Sequence, residues 1–153
     1  MKRNWYKYLF IILTVFVIGF IWWNSSQNGE ESSGISQMVL CKITQLFAYI
    51  GISTDITEHI VRKLAHFTEF TALGILLSID TVLFFEKIKQ YVWFPLFSGL
   101  LVALTDETIQ LFPVERSSSV KDVWLDFSGV VFGTILLIVF MQICFSKLRK
   151  TFK

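Results

Sequence analysis

The feature that most constrains this chain is an apolar run close to its N-terminus. From Tyr8 to Trp23 the sequence YLFIILTVFVIGFIWW contains no charged residue. Extended back to Trp5, the run is long enough to form a helix of about 28 Å, close to the thickness of a bilayer's hydrocarbon core. We therefore predict a membrane-spanning helix over residues 5–23.

A secretory signal peptide would also begin with basic residues such as Lys2 and Arg3. Signal cores are shorter, however, and end in small residues at a cleavage site. Here the run ends in Trp22, Trp23 and Asn24. We interpret the segment as an uncleaved anchor.

Three more apolar stretches predict spans over residues 62–85, 91–112 and 123–145. The chain is 54% hydrophobic and only 17% charged, whereas a soluble domain carries nearer 25% charge. This composition argues against a soluble enzyme. We expect an all-α integral membrane protein, a four-transmembrane-helix bundle forming a single domain over residues 1–153.

Basic residues set the orientation, because cytoplasmic loops of membrane proteins are enriched in lysine and arginine. An inside N-terminus places nine of the 14 basic residues in the cytoplasm: Lys2, Arg3, Lys7, Lys87, Lys89, Lys147, Arg149, Lys150 and Lys153. We predict a multi-pass membrane protein with both termini cytoplasmic and a basic tail over 146–153. The net charge of +2 and the lack of a basic stripe with interleaved aromatics argue against nucleic-acid binding.

Residues 24–58 form the outside connection between the first two spans. They begin as a polar linker, SSQNGEESSG, and continue as ISQMVLCKITQLFAYIG, with apolar residues at helical spacing. This stretch is too short to span the bilayer. It predicts an amphipathic helix on the outer leaflet, or alternatively a re-entrant segment. Cys41 and Cys144 fall near opposite faces of the bilayer, so we expect no disulfide between them.

Polar residues concentrate at the outer ends of the predicted spans. The second span opens with Arg62, Lys63, His66 and Glu69, which share an arc of about 120° on one side of a helix. Counted from the inner end of the span, Glu69 lies about 24 Å up, just inside the hydrocarbon layer. A carboxylate at that depth requires a partner.

The third span runs in the opposite direction and brings Asp106, Glu107 and Gln110 to a similar depth. The pattern D-E-x-x-Q repeats the spacing of R-K-x-x-H with opposite charge. We predict that Arg62 or Lys63 pairs with Asp106 or Glu107. A lone charged side chain at mid-bilayer raises the free energy of insertion by about 2.5 to 3.5 kcal/mol, and pairing would relieve much of this cost.

The loop after the third span contains Pro113, which stops the helix, and Arg116, whose planar fork suits phosphate or carboxylate. Ser119 and Asp122 match a helix-starting capping box, so a purely structural role is open for both. Asp126 lies one turn beyond Asp122, where the fourth span enters the membrane.

Gly129 and Gly133 follow at a spacing that lets another helix approach closely.

For each of these residues the structural alternative is an ion-pair network that fixes the packing of the helices. The one-sided placement of the whole set favours a functional site, since the inner half offers only Asp80 and loop charges. We expect Asp80 to reach the inner interface.

Three blocks of this pattern resemble the VanZ family. They are R-K-L-A-H-F-T-E-F at 62–70, D-E-T-I-Q-L-F at 106–112, and R-S-S-S-V-K-D-V-W-L-D-F-S-G-V-V-F-G at 116–133, preceded by S-S-Q at 25–27. The resemblance covers most of the chain. It departs in the loop, where Val114 and Glu115 replace a Pro-Gly that often precedes the arginine, which affects the turn geometry before Arg116.

The resemblance implies a small membrane protein that lowers susceptibility to teicoplanin and related lipoglycopeptide antibiotics, without replacement of the peptidoglycan terminus. One hypothesis is a noncatalytic protein that binds a membrane lipid or cell-wall precursor head group and so affects the antibiotic indirectly. Its binding residues would be Arg62, Lys63, Gln110, Arg116, Asp122 and Asp126.

A second hypothesis is an integral membrane enzyme acting on a lipid-linked or cell-envelope substrate. His66 or Glu69 would act as general base, with Asp106 and Glu107 as further candidates and Arg116 stabilising negative charge. The acids around His66 could also hold a divalent metal, Mg²⁺ or Mn²⁺.

No nucleophile elbow, H-E-x-x-H pair or phosphate-binding glycine loop supports catalysis. A third hypothesis, proton-coupled transport through Glu69 and Asp106, lacks the internal repeat of a transporter.

Overall fold

The computed structural model describes residues 4–28, 34, 37–38, 40–42, 57–85, 88–114 and 118–151, and it is helical. Its four long helices are α1 (Trp5–Ser25), α2 (Glu58–Phe85), α3 (Trp93–Ile109) and α4 (Val120–Thr151). They pack as a bundle in which each helix runs antiparallel to the preceding one.

Two hydrogen bonds fix the register of α1 against α2. Near the middle of α1, the Thr14 hydroxyl lies 2.7 Å from a carboxylate oxygen of Asp80. At the C-terminal end of α1, the Asn24 amide donates to Glu69 at 2.9 Å. Because the later residue of α1 meets the earlier residue of α2, the two helices are antiparallel.

The position of Asp80 corrects the prediction that this side chain reaches the inner interface. Asp80 is 9% exposed and faces Thr14 inside the bundle. A carboxyl group within reach of a neighbouring hydroxyl gains a hydrogen-bond partner without leaving its helix, which removes the reason to extend toward water.

Glycines bring α2 and α4 into close contact. A Cβ atom on Gly129 would lie 2.7 Å from the carbonyl oxygen of Phe67, and one on Gly133 would overlap the carbonyl oxygen of Thr71. Gly74 of α2 meets the backbone of Val130 of α4 in the same way. The predicted close approach at Gly129 and Gly133 is therefore confirmed, and its partner is α2.

The core lies where all four helices meet. Phe70 and Leu73 of α2, Ile21 of α1, Ala103 of α3 and Val130 of α4 are each 0% exposed. Many large apolar side chains point outward instead, including Leu9, Ile12, Phe16, Leu101 and Phe140. An outer surface of this kind suits contact with lipid tails.

Among the described residues, three helices are long and apolar enough to cross a membrane: Trp5–Ser25, His59–Phe85 and Val120–Cys144. They fit a multi-pass membrane protein. The fourth helix, α3, has 17 residues, at the short end of the range for a spanning helix.

The observed helix bounds differ from the predicted ones at several ends. Both α2 and α4 begin several residues before the predicted spans at 62 and 123, and α3 ends at Ile109. Within the predicted basic tail, α4 continues as helix up to Thr151, since no proline or glycine interrupts it.

The predicted amphipathic helix after α1 lies mostly outside the described residues. Cys41 and Cys144 are both free and exposed, as expected.

Candidate functional site

A group of polar side chains lies at the end of the bundle where α1 and α3 finish and α2 and α4 begin. We call it the polar cluster, and it comprises Lys63, His66, Glu69, Asp106, Glu107, Gln110, Asp122 and Asp126. Every member is among the candidate site residues that the sequence predicts. The members contact one another and also polar groups of α1 and of the loop before α4.

Asp106 lies at the centre of the polar cluster. It is 0% exposed, and its carboxylate accepts a hydrogen bond from the Gln110 amide at 2.9 Å. The same carboxylate lies 3.9 Å from Nδ1 of His66 on α2. The predicted facing of the two motifs across antiparallel helices therefore holds for His66 and Asp106.

Glu107 points toward the start of α4 rather than toward α2. It is 4% exposed and accepts two hydrogen bonds, from the hydroxyl of Ser118 at 2.7 Å and from the backbone N–H of Ser119 at 2.9 Å. Glu107 thus ties the end of α3 to the loop that leads into α4.

Asp126 projects from α4 into the same space. It is 1% exposed, and its Oδ2 is buried without a hydrogen-bond partner among the described residues. Ligand atoms of Asp126, Asp106 and His66 all lie within 4.8 Å of one another. Three helices therefore converge on one point with two carboxylates and one imidazole, a set that can coordinate a divalent metal ion.

Lys63 corrects the predicted ion pairing. Its ammonium lies 3.0 Å from the carboxylate of Asp122 on α4, whereas we had predicted Asp106 or Glu107 on α3. The glycine contacts hold the start of α4 against the first turns of α2, so Asp122 is the acid within reach, while Asp106 and Glu107 are oriented by Gln110 and Ser118.

The lysine–aspartate pair lies at the rim of the polar cluster. The Lys63 and Asp122 side chains are 39% and 27% exposed. Solvent screening at such exposure limits the pair's contribution to stability to about 1 kcal/mol at most. The Lys63 side chain is therefore accessible at the surface of the bundle.

Ser119 caps α4. Its hydroxyl accepts a hydrogen bond from the backbone N–H of Lys121 at 3.2 Å, which confirms the predicted capping role. Asp122 does not complete the reciprocal box, because the backbone N–H of Ser119 is donated to Glu107 instead and the Asp122 carboxylate faces Lys63.

Two contacts involve residues of α1 to which the sequence assigned no role. Asn24 donates to Glu69, and the amide of Gln110 lies 3.3 Å from the hydroxyl of Ser25. Both α1 residues follow directly after the two tryptophans that end the apolar run. Polar groups at the end of a spanning helix, at the depth of a buried acid on its neighbour, were the signal available for finding them.

Two predicted cations remain. Arg62 is half-buried at the start of α2. Arg116 lies outside the described residues.

Most of the buried acidic side chains of the described residues lie in the polar cluster. The buried acids among the described residues are Asp80, Asp106, Glu107 and Asp126, and the last three belong to the polar cluster. Burying several carboxylates together is costly unless cations or hydrogen bonds compensate. Such an arrangement indicates either a site that binds a ligand or ion, or a polar network that fixes helix packing.

The VanZ/LLP1 family profile matches residues 10–141 of the chain. The chain belongs to the VanZ/LLP1 family. The VanZ/LLP1 match runs from the first turns of α1 into the second half of α4 and contains the whole polar cluster. No curated protein and no solved structure matches the chain significantly. The family match confirms the predicted resemblance to the VanZ family.

Proposed function

We propose that this VanZ-family membrane protein lowers susceptibility to teicoplanin-type lipoglycopeptides by binding a lipid or cell-wall head group in the polar cluster. The observation that supports this most directly is the convergence of buried Asp106, Glu107 and Asp126 beneath an accessible Lys63. Such a site would present a cationic side chain at its edge and carboxylates in its interior.

The two parts of the site suit different parts of a head group. Lys63, with Arg62 beside it in the first turns of α2, would hold a phosphate, since cationic donors at a low-dielectric boundary bind phosphate well. The carboxylates below would accept hydrogen bonds from hydroxyl or ammonium groups. The predicted role of Arg116 in phosphate binding remains part of the proposal.

The proposal includes the membrane topology. We infer that α3 spans the membrane together with the other three helices, since its Asp106 end meets α2 and α4 at the polar cluster and its 17 residues extend about 25 Å. Both termini are then cytoplasmic, and the polar cluster faces the outer leaflet of a bacterial membrane. A lipid-anchored antibiotic and its target would meet the protein there.

The test compares teicoplanin minimum inhibitory concentrations in a susceptible host that expresses each variant. Lys63→Gln, Glu69→Gln and Arg116→Lys should reduce protection to the level of the host without the protein. Asp80→Asn is the matched control, because it neutralises a buried carboxylate that lies outside the polar cluster. Membrane abundance of every variant is measured in parallel.

Full protection by all three variants at normal abundance would reject the head-group site. Loss of protection with Asp80→Asn as well would show that only bundle integrity is being measured.

A second function, an enzyme acting on a lipid-linked substrate, is favoured by the closeness of His66 to Asp106 at 3.9 Å. A carboxylate beside an imidazole can orient it as a general base. Lipid mass profiles of cells with and without the protein discriminate between the two functions, since a changed lipid or precursor is expected only of an enzyme.

A further inference from the structure

We propose that His66, Asp106 and Asp126 form a binding site for one divalent transition-metal ion of the Mn²⁺ or Zn²⁺ class. The site lies within the polar cluster but does not depend on head-group binding, because the argument uses only the geometry and burial of its three ligands.

Convergence is the first part of the argument. The three side chains come from three different helices, α2, α3 and α4, yet one ligand atom from each lies within 4.8 Å of the others. Ligands on one ion at about 2.1 Å are about 3.4 Å apart in a tetrahedral arrangement. Small rotations of the side chains about their χ angles are enough to bring the three atoms onto one ion.

Asp126 supplies an independent observation. Its carboxylate is 1% exposed, and Oδ2 has no hydrogen-bond partner among the described residues. An ionised carboxylate removed from water requires a cation or donors. The atoms near Asp126 include the carboxylate of Asp106, which increases the repulsion, so a bound cation is the group that fits this position.

Charge and ligand type define the ion. Two carboxylates and a neutral imidazole carry a charge of −2, which a divalent cation balances. Imidazole favours transition metals over Ca²⁺ and Mg²⁺, whereas carboxylates suit Mn²⁺ and are also found on Zn²⁺. Three protein ligands leave coordination positions open for water or an oxygen of another molecule.

The surroundings hold the ligands in place. Gln110 donates to Asp106 at 2.9 Å, and hydrogen bonds to a ligating carboxylate fix its orientation. Gly129 and Gly133 keep α4 close enough to α2 for Asp126 to approach His66. Larger residues at those positions would separate two of the three ligands.

The experiment uses the full chain purified in detergent, stripped with a chelator and dialysed against Mn²⁺, Zn²⁺ or Mg²⁺. Metal content by inductively coupled plasma mass spectrometry should show one Mn²⁺ or Zn²⁺ per chain, with much weaker retention of Mg²⁺. Asp126→Asn and His66→Gln should each weaken binding at least about tenfold, since loss of a residue that only hydrogen-bonds to a metal ligand already costs about that much. The control Asp80→Asn should bind as the wild type does.

A thermal scan of the wild-type protein keeps the test decisive if a variant fails to fold. Excess Mn²⁺ or Zn²⁺ should raise the Tm of the stripped wild type and of Asp80→Asn, because a ligand that binds the native state stabilises it. Substoichiometric metal with no rise in Tm, or undiminished binding by folded Asp126→Asn, would overturn the metal site.

The outcomes separate this inference from the proposed function. Metal binding without antibiotic protection would leave the metal site standing and reject the head-group proposal. Antibiotic protection that depends on Lys63, in a protein that retains no metal, would reject the metal site and leave the head-group proposal standing.

Discussion

At the scale of single residues, the charged side chains have other partners than the alignment of R-K-x-x-H with D-E-x-x-Q predicts. Lys63 faces Asp122 of α4, and His66 is the basic residue of α2 that lies beside Asp106. Lys63 and His66 are three residues apart on α2, so their side chains are rotated by about 60° from each other around the helix axis. A three-residue step along α2 is enough to exchange α4 for α3 as the opposing helix.

The contact between Lys63 and Asp122 predicts the outcome of a charge exchange. Lys63→Asp or Asp122→Lys alone places like charges opposite each other and should lower stability by about 1 kcal/mol or less, given the exposure of the pair. The double exchange should recover most of that loss. Thermal unfolding of detergent-purified protein at low salt measures both effects.

The control for this exchange is Arg62, which precedes Lys63 on α2. Arg62→Asp combined with Asp122→Arg should show additive losses, because the structure pairs Asp122 with Lys63. Recovery in this control, with additivity for Lys63, would mean that the neighbouring cation is the true partner.

At the scale of helices, close backbone packing between α2 and α4 positions the site. Gly129 and Gly133 lie against the carbonyl groups of Phe67 and Thr71. Small residues of this kind permit close helix approach in a membrane, where association depends on packing rather than on the hydrophobic effect. The same contact brings Asp126 alongside His66.

This packing predicts a strong asymmetry among glycine substitutions. Gly133→Ala and Gly129→Ala place a methyl group against backbone carbonyls, which cannot rotate away, and should destabilise the bundle by about 1 to 3 kcal/mol. Gly19→Ala is the matched control, since a Cβ there meets nothing within 4 Å. Equilibrium unfolding in mixed micelles measures the three free energies. Equal effects at all three positions would contradict the close contact.

At the scale of the whole molecule, the two ends of the helix bundle differ in the residues that they carry. The polar cluster occupies one end, and the short connection between α2 and α3 occupies the other. In the proposed orientation, with the N-terminus inside, the polar cluster would face outward. This orientation is the one that the distribution of lysine and arginine predicts.

Cysteine labelling tests this orientation. Single cysteines at Asn28 and Ser118, in a background lacking Cys41 and Cys144, should react with a membrane-impermeant thiol reagent in intact cells. Cysteines at Lys89 and Gln90, exposed at the opposite end, should react only after lysis. The reverse pattern would place the polar cluster in the cytoplasm and remove its access to an outer-leaflet ligand.

The sequence by itself determined the class of protein and the approximate position of each helix. Long uncharged runs can only be buried in lipid or protein, so their lengths predict spanning helices independently of how they pack. The same argument located the candidate site, because Glu69, Asp106 and Asp126 are too costly to face lipid. These predictions depend on properties that are local in the chain.

Only the tertiary structure decided which of these groups meet. The pairing of Lys63 with Asp122, the burial of Asp80 against Thr14 and the contact of Asn24 with Glu69 depend on helix rotation and register. Those are fixed by packing between distant segments, chiefly the glycine contacts of α4 with α2. A helical pattern specifies which residues share a face, but the neighbour that the face meets is set by the shapes of all four helices together.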